Sequence, residues 1–177
     1  PSGSGKTTVV KNLISDKSLN LGFSISATSR EKRKNEIDGK DYYFLSKGEF
    51  KKKINLNEFV EWEEVYDNTF YGTLKSEIND LNNLGKNLIF DIDAIGGLSI
   101  KKEFPESTLT VFLCPPSLEE LENRLRKRGT DSEEKIKIRL SKASKEISMS
   151  LLYDCKIENH NLTETVVKVK TLINNFL

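Results

Sequence analysis

The chain has 177 residues, of which 36% are hydrophobic and 31% charged, and a chain of this length buries a globular core without disulfides or metal ions. Its 28 basic and 27 acidic side chains leave a net charge of +1, which gives no support to a general polyanion-binding role such as binding nucleic acid. Two cysteines are too few for a disulfide framework, and no apolar run approaches the ~20 residues of a membrane span, so we expect one cytoplasmic domain without a membrane partner.

The first eight residues, PSGSGKTT, have the spacing of a phosphate-binding loop that runs into a helix. Glycines allow a tight turn with inward backbone N–H groups, Lys6 would reach the β- and γ-phosphates, and the Thr7 hydroxyl would join a Mg²⁺ shell. The full pattern needs a glycine and a strand before Pro1, so we expect a longer polypeptide, whose start could include a targeting peptide. A glycine-rich helix start without a ligand is the alternative. The expected phosphate-binding residues are Ser2, Gly3, Ser4, Gly5, Lys6, Thr7 and Thr8.

Short β-rich runs then alternate with longer helical patterns, which predicts an α/β fold with a parallel sheet. A first helix over residues 9–14 precedes a strand over residues 21–27 (LGFSISA), and a basic polar stretch follows. Ser46 and Glu49 have capping-box spacing and open a short helix to about Ile54. The next expected elements are a strand over residues 58–66, a turn at Asp67-Asn68, the segment 70–73, and a helix over residues 74–84 that stops at Gly85.

The second half continues the alternation of strands and helices. Residues 87–93 (NLIFDID) and 108–114 (TLTVFLC) read as buried strands, and Ser117 caps a helix that ends at Gly129-Thr130. Further expected elements are a long helix capped by residues 131–134, a short strand over residues 155–158 and a terminal helix over residues 161–176. We expect a single domain over residues 1–177, because the chain shows neither an internal repeat nor a long linker.

Two aspartates close the strand expected over residues 87–93. Ligands of open parallel sheets bind beyond the carboxyl ends of the strands, so Asp91 and Asp93 should lie near the phosphate loop and the end of LGFSISA. At the strand period of two they would share one face, where one carboxylate could hold Mg²⁺ or its waters and the other could meet a substrate. Two solvated aspartates at a strand end are the alternative.

Arginines form two further candidate anion sites. Arg30 and Arg33 suit a second phosphate group, because arginine binds phosphate through two nitrogens and stays charged, and Tyr42 and Tyr71 could add hydroxyl donors. A solvated basic stretch is the alternative. Arginines on the two helices that flank Gly129 could enclose a transferring phosphoryl group and exclude water, with an ordinary charged helix surface as the alternative. They are Arg124, Arg128 and Arg139.

In this order, the motifs resemble those of the guanylate kinase family over nearly the whole chain. The segments that carry the resemblance are SGSGKTT, SATSREKR with DGKDYYF, EFVEWEEV before FYGT, DIDAIGG, and RLRKRGTDSEEKIKIRL. The resemblance implies a P-loop NTPase fold, in which a parallel sheet core is flanked by helices. It further implies a small mixed β/α GMP-binding lobe over residues 30–74 and a helical lid over residues 126–137, with the core over 1–29, 75–125 and 138–177.

The activity implied by the resemblance is reversible Mg²⁺-dependent transfer of the ATP γ-phosphoryl group to GMP or dGMP. The implied GMP-binding residues are Arg30, Arg33, Tyr42 and Tyr71 for the phosphate, and Ser26, Glu61, Thr73 and Asp93 for guanine. The implied catalytic residues around the ATP phosphates are Lys6, Arg124, Arg128 and Arg139. Thr7 and, through water, Asp91 would serve the metal, and Asn159 would lie near the adenine. Glu63 points to the same strand face as Glu61, so which glutamate faces guanine stays open.

Two other functions stay open from the sequence. A guanylate-kinase-like scaffold domain that binds peptides would be expected to lack the loop lysine or the lid arginines, and Lys6, Arg128 and Arg139 are all present. A kinase for another nucleoside monophosphate would share the same scaffold. A monomer and a homodimer are equally compatible with the sequence.

Overall fold

The computed structural model describes residues 1–66, 68–129 and 131–177. Within them the chain forms two compact units, residues 1–19 with 106–177, and residues 20–105. The expected turn at Asp67 and the expected helix stop at Thr130 fall outside the described residues. None of the described helices is both long and apolar enough to cross a membrane.

Seven α-helices, two short 3₁₀-helices and eight strands are assigned among the described residues. The helices are α1 (Lys6–Ser15), α2 (Lys47–Asn55), α3 (Lys75–Asn83), α4 (Ala94–Glu103), α5 (Leu118–Arg128), α6 (Glu133–Ser148) and α7 (Leu162–Phe176). The strands are β1 (Leu21–Phe23), β2 (Ala27–Thr28), β3 (Tyr43–Phe44), β4 (Phe59–Tyr66), β5 (Thr69–Leu74), β6 (Asn87–Ile89), β7 (Val111–Cys114) and β8 (Cys155–Glu158).

The first unit combines a parallel strand pair with helices α1, α5, α6 and α7. Strands β7 and β8 pair in parallel, with Val111 opposite Cys155. Helix α5 has Ser117 as its N-cap, whose hydroxyl accepts the Glu120 N–H at 3.0 Å, and Gly129 in the left-handed region as its C-cap. Apolar side chains bury the contact between α5 and α6; they are Leu121, Leu125, Ile136 and Ala143.

The second unit contains two sheets. Strands β1 and β6 pair in parallel, and a mixed sheet has the strand order β3-β2-β5-β4. Alternate residues of β5 point to opposite faces, so Phe70 and Leu74 pack with Phe50 of α2, while Tyr71 and Thr73 lie on the other face. Opposite Thr73 in the antiparallel register stands Glu61 of β4. The mixed sheet therefore buries one face against α2 and presents polar side chains on the other.

The single strand expected over residues 21–27 is in fact two strands. β1 ends at Phe23 and pairs with β6, whereas β2 begins at Ala27 and pairs with β3 and β5. Ser24 still donates its N–H to the Ile89 carbonyl, at 3.0 Å, before the chain leaves the first sheet. Alternation in the sequence is compatible with both sheets, and it cannot indicate the change of partner.

The strand expected over residues 87–93 is too long. β6 ends at Ile89, and Asp93 is the N-cap of α4, where its carboxylate accepts the Gly96 N–H at 2.9 Å. The prediction that Asp91 and Asp93 share a strand face is therefore wrong. Sequence reasoning also missed α4, because two adjacent glycines in its first turns lower the helical propensity. The strand expected over 108–114 is likewise shorter and begins at Val111.

Candidate functional site

The glycines of the N-terminal loop have backbone conformations that other residues rarely adopt. Gly3 has φ of 90° and Gly5 has φ of 99°, and Gly5 is the N-cap of α1. A Cβ at Gly3 would lie 2.9 Å from a methyl carbon of Leu121, and a Cβ at Gly5 would collide with the Asn159 side-chain nitrogen. Both positions therefore require glycine, on account of the backbone and of the space.

The side chain of Asn159 is hydrogen-bonded to the backbone of this loop. Its side-chain nitrogen donates to the Ser4 carbonyl at 2.8 Å, and its oxygen accepts the Thr165 hydroxyl at 3.0 Å. The residue is only 6% exposed, and its own N–H donates to the Cys114 carbonyl at 2.8 Å. The observed contacts are those of a brace for the loop, a role that sequence reasoning missed. Proximity of Asn159 to an adenine stays a prediction.

Two cationic side chains of the first unit contact the loop. Lys6 donates from Nζ to the Pro1 carbonyl at 2.9 Å. Arg139 of α6 donates to the Ser2 hydroxyl at 2.7 Å, and its Nε lies 3.2 Å from the Asp131 carboxylate. The structure thus brings Arg139 to the loop and beside Asp131. Its role at the ATP phosphates stays a prediction.

The other two predicted arginines differ in their surroundings. Arg124 is held by Glu120 at 2.8 Å and by the Asn159 carbonyl at 3.0 Å, whereas Arg128 is exposed at the last turn of α5. Thr7 and Thr8 lie exposed in the first turn of α1.

The second unit contains a cluster of two arginines, one glutamate and two tyrosines, which we call the arginine pocket; its residues are Arg30, Arg33, Glu36, Tyr42 and Tyr71. The two terminal nitrogens of Arg30 donate to the two oxygens of Glu36 at 2.7 and 2.8 Å, and its Nε donates to the Tyr71 hydroxyl at 3.2 Å. The Tyr42 ring lies 5.1 Å from the guanidinium carbon, and Arg33 approaches Glu36 at 3.8 Å. The hydrogen bonds from Arg30 hold the pKa of the Glu36 carboxyl below its usual value. The pocket therefore already binds one oxyanion, a carboxylate, through a bidentate arginine.

The phenol of Tyr42 stays protonated in this pocket. Burial, followed by the nearby Asp91 carboxylate, raises the pKa of Tyr42 to about 12. A phenol is protonated at neutral pH even at its ordinary pKa of about 10, so this hydroxyl can donate a hydrogen bond to an anion with or without the shift. Asp91 belongs to this second unit, whereas Thr7, the other predicted metal residue, belongs to the first.

Glu61 is a buried carboxylate in the mixed sheet. It is 8% exposed, and one of its oxygens accepts the Thr73 hydroxyl at 2.7 Å. Burial raises the pKa of Glu61 to about 7; the Thr73 hydrogen bond opposes the rise, and the Asp93 carboxylate adds to it. A Cβ at Gly96 would lie 2.9 Å from the other oxygen, so a larger residue at this position of α4 would displace the Glu61 carboxylate.

Two candidates for guanine binding remain, Ser26 and, as the alternative to Glu61, Glu63. The Ser26 carbonyl accepts the Tyr43 N–H at 3.0 Å, in the connection that leads into β2. Glu63 is only partly buried, and it stands opposite Tyr71 in the strand register. The carboxylate of Glu61 lies against Gly96 in the first turn of α4.

The described residues contain no group of three or more acidic, histidine or cysteine side chains that could hold a metal ion. Mg²⁺ commonly takes most of its ligands from water and phosphate oxygens, which it prefers to an all-protein cage. A threonine hydroxyl at a loop of this kind fits such a shell, because it needs to supply only one ligand.

Known proteins match the chain over almost all of its length. The family model for guanylate kinase matches residues 1–176. A guanylate kinase of Porphyromonas gingivalis is 51% identical, covering 100% of this chain and 94% of that protein, and one of Bacteroides fragilis is 46% identical, covering 100% and 86%. The crystal structure of guanylate kinase from Anaplasma phagocytophilum has a TM-score of 0.80 at 31% identity, covering 98% of this chain and 81% of that one.

The fold and the loop at the start of α1 place the chain among the P-loop NTPases, as the sequence predicts. Coverage and identity then define the group more closely. The chain belongs to the guanylate kinase family. The family and the fold class that the motifs predict are both confirmed.

Proposed function

We propose that the chain is a guanylate kinase that transfers the γ-phosphoryl group of ATP to GMP or dGMP, giving ADP and GDP or dGDP in purine nucleotide metabolism. The observation that carries the proposal is the buried Glu61 carboxylate beside Thr73, in the same unit as the arginine pocket of Arg30. The phosphate loop of the first unit supplies the donor side of such a reaction.

Guanine recognition follows from the chemistry of Glu61. Guanine presents N1–H and a 2-amino group side by side, and an ionised carboxylate accepts hydrogen bonds from both. Adenine presents a lone pair at N1 and no 2-amino group, so the same carboxylate repels it. We assign the base to Glu61, with Ser26, Thr73 and Asp93 as its neighbours, and leave Glu63 outside this set because its register partner is Tyr71.

The phosphate of the acceptor belongs to the arginine pocket. We assign it to Arg30 and Arg33, with hydroxyl donors from Tyr42 and Tyr71. The guanidinium of Arg30 already binds a carboxylate in the two-pronged geometry that arginine uses for phosphate. A phosphate oxygen held there attacks the γ-phosphorus, and the bond from that phosphorus to the ADP oxygen breaks, without a phosphoenzyme.

The donor phosphates belong to the first unit. The loop N–H groups and Lys6 hold them, and Arg124, Arg128 and Arg139 stabilise the charge of the transferring group. Mg²⁺, when bound, neutralises charge on the β- and γ-phosphates. Thr7 is the residue of this unit that we assign to it. Residues 30–74 as a GMP-binding lobe and 126–137 as a lid are part of this proposal, as are a cytoplasmic location and the absence of a nucleic-acid partner.

Acceptor selectivity tests the proposal. ADP production is followed with GMP, dGMP, AMP, UMP and dTMP as acceptors, and we expect GMP and dGMP to be strongly preferred. Lys6→Ala should lose ~10²-fold or more in rate and retain GMP binding. Lys11→Ala, which removes an exposed lysine of the same helix, is the matched control and should keep the rate.

The same assays separate the rival functions. A preference for another nucleoside monophosphate would identify a different kinase on this scaffold. Absence of MgATP binding in a calorimetric titration would indicate the scaffold domain without catalysis. Either result would overturn the proposal.

A further inference from the structure

Glu77, in the first turn of α3, is a buried carboxylate outside both the arginine pocket and the pair of Glu61 and Thr73. It is 7% exposed, and both of its oxygens are occupied. One oxygen accepts the backbone N–H of Ile25 at 2.9 Å, and the other accepts the Tyr43 hydroxyl at 2.8 Å. A carboxylate this far from water is costly unless it is hydrogen-bonded, so its two partners are held in fixed directions.

The two partners of Glu77 adjoin residues that we assign to the acceptor nucleotide. Ile25 precedes Ser26, and Tyr43 follows Tyr42 at the start of β3. The same two segments also bond to each other, because the Tyr43 N–H donates to the Ser26 carbonyl at 3.0 Å. Glu77 therefore ties three segments together: the connection from β1 to β2, strand β3, and helix α3.

We propose that Glu77 is a positioning residue for the acceptor nucleotide, acting through the Ile25 backbone on Ser26 and through the Tyr43 hydroxyl on Tyr42. The inference rests on the proposed function for the identity of the nucleotide. Burial, together with the hydrogen bond to Glu77, raises the pKa of Tyr43 to about 12, as expected for a phenol that donates to a buried carboxylate. The Glu77 carboxylate thus positions the segment that contains Ser26, which we assign to the base, and the segment that contains Tyr42, which we assign to the phosphate.

Kinetic constants for the two substrates test this role. In Glu77→Ala we expect KM for GMP to rise by about tenfold or more, with KM for ATP within about twofold of wild type. Glu77→Gln should recover much of the loss, because its amide oxygen can still accept from Ile25 and its amide nitrogen can donate to the Tyr43 oxygen. Tyr43→Phe removes one of the two bonds and should raise KM for GMP by a smaller factor.

Asn20→Ala is the matched control for a purely structural effect. Asn20 lies at the other end of β1, where its side chain donates to the Gly85 carbonyl at 2.8 Å. This variant should lower stability in urea unfolding and leave KM for GMP unchanged. If Glu77→Ala raises both KM values together, or leaves KM for GMP unchanged, the positioning role is wrong. If Glu77→Ala fails to fold, Tyr43→Phe tests the positioning role in the same assay, and an unchanged KM for GMP in that variant overturns the inference.

GMP binding measured by calorimetry separates this inference from the proposed function. If the wild-type protein binds another nucleoside monophosphate in preference to GMP, the proposed function fails. The role of Glu77 is then decided with that acceptor, because Ser26 and Tyr42 would still have to be positioned for it. Equal affinity of wild type and Glu77→Ala for the preferred acceptor would contradict the role in either case.

Discussion

Glu61 combines two properties that oppose each other. In the role that we propose, the carboxylate must be ionised to accept hydrogen bonds from guanine, yet burial raises its pKa to about 7, and the Asp93 carboxylate nearby adds to this rise. In the protein without nucleotide, a large fraction of Glu61 is therefore protonated at neutral pH. If guanine binds to Glu61 as proposed, that proton has to leave, and we expect GMP affinity to be coupled to pH.

The first prediction concerns this coupling. As pH falls below about 7, GMP affinity should fall, because the protonated carboxyl no longer accepts both hydrogen bonds. Well below pH 7, each further pH unit should lower the affinity by about tenfold. Calorimetric titration with GMP over a pH series measures the effect. The phosphate of GMP also titrates, near pH ~6 as phosphate monoesters do, so Glu61→Gln is the control: it keeps that step and lacks the one near 7. A GMP affinity that stays constant across neutral pH would contradict the prediction.

The second prediction concerns stability. The pKa of Glu61 is raised from 4.5 to about 7 in the folded protein, so its contribution is fully present below pH 4.5 and is lost as pH rises through 7. At alkaline pH the loss amounts to at most about 3 kcal/mol. Glu61→Gln, which keeps an acceptor for the Thr73 hydroxyl, should therefore be more stable than wild type at high pH while binding GMP more weakly.

Urea unfolding at two pH values gives the free energies of unfolding of wild type and Glu61→Gln, which test this prediction. We expect the variant to gain over wild type at pH ~8 and to lose that advantage at pH ~5, where the carboxyl is neutral. If Glu61→Gln is less stable than wild type at both pH values, the charge of Glu61 does not destabilise the folded protein, and the prediction is wrong.

Among the helices and strands, the features that the sequence predicted best are those that depend on residues nearby in the chain, such as helix caps. The caps of α2 and α5, at Ser46 and Ser117, and the glycine that ends α5 follow local rules, and all three are observed. The break between β1 and β2 and the start of α4 at Asp93 depend on strand partners and on packing far along the chain. Those features could not be read from a local pattern, and both were missed.

The third prediction belongs to the loop before α1. Gly5→Ala should abolish tight ATP binding, because the new Cβ meets Asn159 at a φ of 99° and the loop must shift away from the position that Asn159 supports. Gly85→Ala is the control, since Gly85 has a φ of 63° and no atom within 4 Å of a Cβ. We expect the control to lose only the ~1 kcal/mol of left-handed strain and to bind ATP normally. Equal ATP affinities of the two variants would contradict the collision with Asn159.

For the molecule as a whole, the division of chemistry between the two units is what a two-substrate kinase needs. The first unit has the loop, its lysine and Arg139, and the second has the arginine pocket and the buried Glu61. The motifs predicted these residues because each motif is short and local. The contact of Asn159 with the loop and the roles of Gly96 and Glu77 were missed, because their contacts join segments that are distant in sequence, which only the folded chain reveals.

The ratio of kcat/KM for GMP to that for AMP, in wild type and in Glu61→Gln, is the most direct test of a guanine-reading carboxylate beside a phosphate-binding pocket. We expect a ratio of ~10³ or more in wild type, because adenine leaves the carboxylate without its two donors. In Glu61→Gln the ratio should fall by at least ~10-fold, since the amide nitrogen opposes the guanine 2-amino group and can donate to adenine N1. A wild-type ratio near one, or a ratio that the substitution leaves unchanged, would contradict guanine reading by Glu61.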